Sequence, residues 1–301
     1  MSDIRFDGRV AVITGAGGGL GKTYALEIGK RGGKVVVNDL GGAMDGTGGG
    51  SSMADAVVKE ITEAGGEAVA NYDSVSTPEG GEAIVQSALD NFGKVDVVIN
   101  NAGILRDKTF AKLAPAELEA VIDVHLKGAF YVSQPAFRNM KDNAYGRFLF
   151  TASGAGIFGN FGQTNYGAAK MGLVGLSNVL AQEGAKYNIK SNVIAPIAKT
   201  RLTEQLLGAA ADKLDPACVT PISVYLVSET CELTHEIFDV GGGRYARIFI
   251  GMSPGWVKGP GVPATVEEIA ANIDQIRDTE GYTIPDSIAG EMQAVMKAFQ
   301  G

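Results

Sequence analysis

Val10-Ala11-Val12-Ile13-Thr14-Gly15-Ala16-Gly17-Gly18-Gly19-Leu20-Gly21 is a β-branched run that breaks into glycines and then continues with helical periodicity. A strand feeding a glycine-rich turn and a helix start brings backbone N–H groups to one point. The helix N-terminus there favours negative charge, so the turn suits a pyrophosphate. A bare tight turn would explain the same glycines taken alone. What singles this one out is its place, the first strand-to-helix turn of an alternating pattern.

That pattern runs outward along the chain. Strands are expected at Val10–Thr14, Lys34–Asn38, Glu67–Asn71, Val95–Asn100, Arg147–Thr151, Ile189–Ile194 and Glu236–Val240. Each is nearly all apolar, as strands covered by helices on both faces are. Helical periodicity fills gaps at Ala54–Ala64, Gly80–Phe92, Pro115–Met140 and Tyr166–Ala185. The alternation predicts an α/β fold: a Rossmann-type doubly wound, seven-stranded parallel sheet with ligands at the strand C-termini. Residues 1–245 make that nucleotide-binding catalytic domain.

Residues 246–301 read as a C-terminal helical extension. A Gly/Pro-rich loop leads to a helix at Thr265–Arg277, opened by Thr265 and Glu268 in capping-box spacing. A second apolar stripe follows at Ile288, Met292, Val295, Met296 and Phe299. Three roles are open to it: packing on the core, contacting a partner subunit, or covering substrate as a lid.

The 301 residues are 45% hydrophobic and 20% charged, with a formal net charge of −8. There is no Lys/Arg stripe of the kind a nucleic-acid partner needs. Cys218 and Cys231 form no CxxC pattern, so neither a metal nor a disulfide framework is expected. Met1–Gly8 is polar, no apolar run reaches the about 18 residues of a membrane span, and Ala298-Phe299-Gln300-Gly301 is no peroxisomal ending. The expectation is a cytoplasmic protein without a membrane span.

Asp39 ends the second strand, where a carboxylate accepts hydrogen bonds from adenosine ribose hydroxyls. The same carboxylate repels a 2′-phosphate, and no Lys or Arg follows within Leu40–Ser52, which favours NAD over NADP. Asp73-Ser74-Val75 and Asn100-Asn101-Ala102-Gly103 close the third and fourth strands and suit adenine and ribose contacts.

Ser153 follows the fifth strand. Tyr166 and Lys170 stand at i and i+4 of a helical stretch, on one face about 6 Å apart. A phenol titrates near pH ~10, too high for a base at neutrality. A neighbouring ammonium stabilises phenolate. Tyr166 is therefore expected to be an unusually acidic phenol, serving as acid/base group while a hydride moves to or from a secondary alcohol carbon. Ser153 would hydrogen-bond the same oxygen. A Tyr/Lys pair at this spacing is commonly structural; its weight comes from Ser153, the glycine turn and Asp39 converging on one sheet edge.

Thr14-Gly15-x-x-x-Gly19-x-Gly21, Asn100-Asn101-Ala102-Gly103, Ser153 and Tyr166-x-x-x-Lys170 together resemble the short-chain dehydrogenase/reductase family from about Asp7 to Gly243. The resemblance implies Tyr166 as acid/base, Lys170 tuning it and holding the nicotinamide ribose, and Ser153 orienting substrate. It implies cofactor contacts at Gly15, Gly19, Leu20, Gly21, Asp39, Asp73, Ser74, Val75, Asn101, Ala102, Gly103, Tyr166, Lys170, Pro196 and Ile197. Arg5-Phe6-Asp7-Gly8-Arg9, Gly103-Ile104-Leu105-Arg106-Asp107, Val124-His125-Leu126-Lys127-Gly128 and Gly159-Asn160-Phe161-Gly162-Gln163 are similar to a narrower subfamily. Its members are the (3R)-hydroxyacyl-CoA dehydrogenase units of peroxisomal multifunctional enzymes of type 2, also called 17-beta-hydroxysteroid dehydrogenases of type 4.

That similarity implies NAD-dependent oxidation of a (3R)-hydroxyacyl-CoA, with a fatty or sterol side-chain acyl group, in a homodimer. Alternatives are a 17-beta-hydroxysteroid dehydrogenase, an NADPH-dependent 3-ketoacyl reductase, and a non-catalytic nucleotide-binding protein. The sequence departs from the broader family twice. His125 stands where an asparagine usually supports a proton relay toward Lys170, and is expected to take a relay or a core role. Pro196-Ile197 stands where Pro-Gly is usual. Substrate contacts are expected from Ala155–Thr164, Lys199–Ala211 and the tail after Arg244.

Overall fold

Buried β-branched strands alternate with amphipathic helices to build a single sheet in the computed structural model of the chain, which describes residues 3–200, 203 and 208–299. The strands are β1 (Val10–Thr14), β2 (Lys34–Asn38), β3 (Glu67–Asn71), β4 (Val97–Asn100), β5 (Gly146–Thr151), β6 (Ile189–Ile197), β7 (Ile237–Gly241) and β8 (Arg244–Ile248). Their order across the sheet is β3-β2-β1-β4-β5-β6-β7-β8. The pairings from β3 across to β7 are all parallel, with Val12 beside Val36 on one side and Val98 on the other. The order reverses between β1 and β4, so the strand C-termini around that point open a crevice.

The helices that return the chain are α1 (Gly19–Lys30), α2 (Ser52–Glu63), α3 (Pro78–Phe92), α4 (Pro115–Ile122), α5 (Gly128–Asp142), α6 (Gly154–Ile157) and α7 (Thr164–Gly184). Tyr24 and Ile28 of α1 and Ile61 of α2 pack with Ile13, Val35 and Val37 of the sheet in a fully buried cluster. Each such side chain contributes about 1.5–3 kcal/mol by leaving water. This core holds the C-terminal ends of β1 and β2 in fixed register, and with them the glycine turn.

The sheet corrects the expected seven strands to eight. After β7 the chain reverses through Gly242-Gly243, both at positive φ (56° and 81°). Such a two-residue turn joins antiparallel strands. β6 is also longer than expected and runs through Pro196-Ile197, which pair with Val240 and Gly241 of β7. The single helix expected over Pro115–Met140 is interrupted at Asp123–Lys127 by one wider π-helical turn containing His125. Such turns concentrate at functional sites.

Two compact units divide the chain, Met1–Arg247 and Ile248–Gly301. In the second, Met252 and Thr283 form an antiparallel bridge and Phe249 stacks on Tyr282 at 5.5 Å. The Thr265/Glu268 capping box forms, yet the helix it opens runs only over Val266–Ala271 and is broken at Asn272 before Ile273–Arg277. The last helix is Ile288–Ala298. No described helix is long and apolar enough to cross a membrane. Among the described residues no cluster of His, Cys, Asp or Glu could hold a metal ion.

Candidate active site

The glycine turn between β1 and α1 leads into a helix whose N-cap, Gly18, makes no side-chain cap, and whose first turn has no acidic residue. Leu20 and Gly21 are buried beneath it. A helix start left open in this way is an anion site by geometry and dipole. The Asp39 carboxylate closes the far side: Oδ2 accepts from Gly17 N at 2.9 Å and Oδ1 from Gly41 N at 2.7 Å. A Cβ on Gly17 would stand 2.8 Å from Asp39 Oδ2 and from Met53 Cβ, so the cradle closes if that position carries a side chain. The open helix start and the neighbouring carboxylate are groups that fit a dinucleotide.

The neighbouring strand ends brace one another. Thr14 Oγ1 accepts from Asn101 N (3.0 Å) and Ala102 N (3.1 Å), while Asn101 Nδ2 donates to the carbonyls of Thr14 and Gly15, both at 3.1 Å. Asn101 thus holds the turn in shape. Asn38 Nδ2 donates to Asp73 O at 2.9 Å, and Asn71 Nδ2 to Asp73 Oδ2 at 2.8 Å. Ser74 bonds Ser76, and Val75 is buried against Gly128. Pro196 and Ile197 are strand residues rather than a loop.

At the end of β5, Ser153 caps α6, its Oγ accepting from Ala155 N at 3.2 Å. The same hydroxyl lies near enough to the phenol of Tyr166, in the first turn of α7, to ease its ionisation. One turn on, the buried Lys170 ammonium donates to Thr151 O at 2.5 Å and lies 5.5 Å from the Tyr166 ring centroid. The three side chains therefore converge. Their electrostatics overturn the expected acidic phenol. Burial pushes Tyr166 up to about 12, with Asp107 adding to the rise and the Ser153 hydroxyl opposing it. Burial also pushes Lys170 down to about 7. The desolvation that would make the lysine's charge effective suppresses that charge, so the phenol in this pocket holds its proton.

His125, 3% exposed, faces the other side of the tyrosine. Its Nε2 meets the backbone of Ile104, 3.0 Å from the N–H and 2.8 Å from the carbonyl oxygen, and its buried Nδ1 has no partner among the described residues. Burial first, then the charge of Lys170, hold the imidazole well below its ordinary range. Gly103 admits the ring: a Cβ there would fall 2.4 Å from His125 Cε1.

From sequence, Asp107 and Asn165 carry no expected role, and Gln163 and Thr200 are reached only through the stretches expected to contact substrate. Asp107 and Gln163 join through Gln163 Nε2 donating to Asp107 Oδ2 at 2.7 Å, and Asn165 Nδ2 donates to Arg106 O at 3.0 Å. Both tie the first turn of α7 to the segment after β4. Thr200 stands over the glycine turn, its Cγ2 3.6 Å from where a Gly19 Cβ would be. Arg106-Asp107 and Gln163 do lie in the quoted motifs, but nothing local says that they meet. Of the stretch 199–211, residues 201, 202 and 204–207 lie outside the described residues.

A family profile described as short chain dehydrogenase matches residues 9–209. The chain is 50% identical over 277 residues to the short-chain type dehydrogenase/reductase Rv0148 of Mycobacterium tuberculosis, covering 92% of this chain and 96% of that protein. It is 47% identical over 302 residues to the peroxisomal multifunctional enzyme type 2 of Mus musculus, covering 98% of this chain and 41% of the longer protein. The full-length peroxisomal multifunctional enzyme type 2 of Drosophila melanogaster superposes with a TM-score of 0.82 at 38% identity, covering 99% of this chain and 50% of that one.

Proposed function

The chain belongs to the short-chain dehydrogenase family and is an oxidoreductase that works with a nicotinamide dinucleotide, and we propose that it oxidises a (3R)-hydroxyacyl-CoA to the 3-ketoacyl-CoA with NAD. The observation that carries this is the convergence of Ser153, Tyr166 and Lys170 at one sheet edge with the uncapped start of α1 and the carboxylate of Asp39. The acyl-CoA substrate rests on the subfamily motifs and on similarity to multifunctional enzymes of type 2.

In this reading Ser153 and Tyr166 hold the substrate oxygen. Tyr166, as phenolate, accepts the hydroxyl proton, and the nicotinamide ring, when bound, accepts the hydride. Lys170, anchored on Thr151 O, holds the nicotinamide ribose and offsets the negative charge of the phenolate before it takes the proton. His125 offers Nδ1 as a relay atom, since Ile104 engages Nε2. Beside it lies a cavity of about 10 Å³ lined by Thr14, Asn100 and His125, close to the size of one water. Asp39 selects NAD by repelling a 2′-phosphate. A homodimer belongs to the same reading; Leu118, Phe130 and Val179 expose apolar surface that a second copy would cover.

The test is NADH formation from a panel of (3R)- and (3S)-hydroxyacyl-CoAs, straight-chain and steroidal, with NAD and NADP in parallel. Turnover confined to (3R) substrates with NAD is expected. No turnover of any thioester, or a strong NADP preference, would overturn the reading.

A further inference from the structure

One carboxylate near the phenol has no part in the scheme above. Asp107 lies in the connection from β4 to α4, and its two oxygens are treated differently. Oδ2 accepts from Gln163 Nε2 at 2.7 Å, whereas Oδ1 is buried and has no hydrogen-bond partner among the described residues. A buried acceptor without a donor is costly, and a folded chain retains few of them. Gln163 is itself committed. It is the N-cap residue of α7 but makes no side-chain cap; its Nε2 goes to Asp107 and its Oε1 accepts from Asn160 Nδ2 at 2.9 Å. Backbone bridging of Lys108 with Gln163, and Asn165 Nδ2 donating to Arg106 O, fasten the same two segments on either side. Tyr166 follows in the first turn of the helix so fastened.

We propose that Asp107 is a positioning residue for the reaction: through Gln163 it sets the helix turn that carries Tyr166, and its unpaired oxygen keeps a negative charge beside the phenol. Three titratable groups bear on that phenol. Lys170 approaches from its own helix and His125 from the π-helical turn, while the charge of Asp107 acts on the phenol from the loop after β4 and the Ser153 hydroxyl opposes it. Burial sets the high titration of the phenol, and the charge of the carboxylate adds to it. Once the phenolate forms, that charge makes it a stronger base toward an alcohol proton. Two separable effects follow, one of charge and one of geometry.

The inference rests on the proposed role of Tyr166, so its test has an arm that needs no substrate. Phenolate absorbance is titrated in the full chain, and the Tyr166→Phe trace is subtracted to isolate one tyrosine. Asp107→Asn keeps the shape and removes the charge; it is expected to move the Tyr166 titration about one pH unit lower. The acid limb of the kcat profile for NADH formation should move with it. Gln163→Ala leaves the charge in place, so the titration should stay while kcat falls about tenfold at unchanged KM for NAD. Should Asp107→Asn not fold, Asp107→Ser carries the same expectation. A wild-type titration in the charge-removed variant would overturn the proposal, as would a Gln163→Ala enzyme with full kcat. A wild-type chain that oxidises no hydroxyacyl-CoA would end the proposed function instead, and the titration would still decide on Asp107.

Discussion

The imidazole of His125 stands edge-on to the ring of Tyr166, with centroids 5.2 Å apart and planes at 87°. The wider helical turn at Asp123–Lys127 delivers the ring to that place, and the backbone of Ile104 fixes it there through Nε2. A neutral ring is thereby built into the wall of the site.

Stability should report that neutrality. Burial and Lys170 hold His125 well below the ordinary 6.5, so below that pH the unfolded chain binds a proton that the folded chain refuses. The stabilisation is complete above pH 6.5 and is lost as the pH falls through it, at up to about 1.4 kcal/mol per pH unit. Denaturant unfolding of wild type and His125→Gln at pH 7.5 and about 5.5 measures the increment, which the variant should lack. Equal losses in both proteins would remove the buried neutral histidine from the account.

Tyr166→Phe should lower turnover about 10²–10⁴-fold, the usual worth of a positioned acid/base group, while NADH fluorescence still reports binding. The pH dependence has a definite sign. With the phenol up at about 12, the phenolate needed for oxidation gains population as pH rises. Oxidation should therefore accelerate between about pH 7 and 10, whereas ketone reduction, which needs the phenol, should not. An oxidation rate flat with pH would argue against Tyr166 as the base.

Asp39 serves two amides at once, Gly17 N and Gly41 N. Asp39→Asn keeps the shape and removes the charge. The ratio of kcat/KM for NADP over NAD should rise at least about tenfold, equivalent to about 1.4 kcal/mol. Parallel initial-rate measurements with the two cofactors check it; an unchanged ratio would mean that selectivity lies elsewhere in the pocket.

The elements easiest to read from sequence are those whose burial leaves no ambiguity. β1 and β4 are buried at every position, so their apolar runs announce them within two residues. β8 is half-exposed, and its Arg-Tyr-Ala-Arg-Ile alternation follows glycines that read equally well as loop. The π-helical turn keeps the apolar spacing of an ordinary helix and adds no residue type of its own. Ser153 could be expected at the cofactor edge because strand ends in a parallel sheet share it, and Tyr166 and Lys170 could be paired by their helical spacing. Asp107 and Gln163 could not, because a hydrogen bond between two loops has no periodicity to reveal it. The acidic phenol failed for a related reason: spacing places a lysine near a tyrosine, but only the packed structure says how little water either retains.

Gly103 and His125 supply a test of how closely this wall is packed. Gly103 is not at positive φ, so alanine is allowed by the backbone, and the atoms nearest its methyl are those of the imidazole, Cε1 at 2.4 Å. Gly103→Ala should cost about 1–3 kcal/mol by overpacking. His125→Ala should cost a similar amount, because the backbone groups of Ile104 lose their partner. Made together, the two changes relieve each other, since the new methyl occupies space the ring has left. The double variant should therefore be less destabilised than the sum by at least about 1 kcal/mol, measured by denaturant unfolding of all four proteins. Strict additivity would mean that the ring yields freely to the methyl, and a histidine so loosely held could not serve as a fixed relay beside Tyr166.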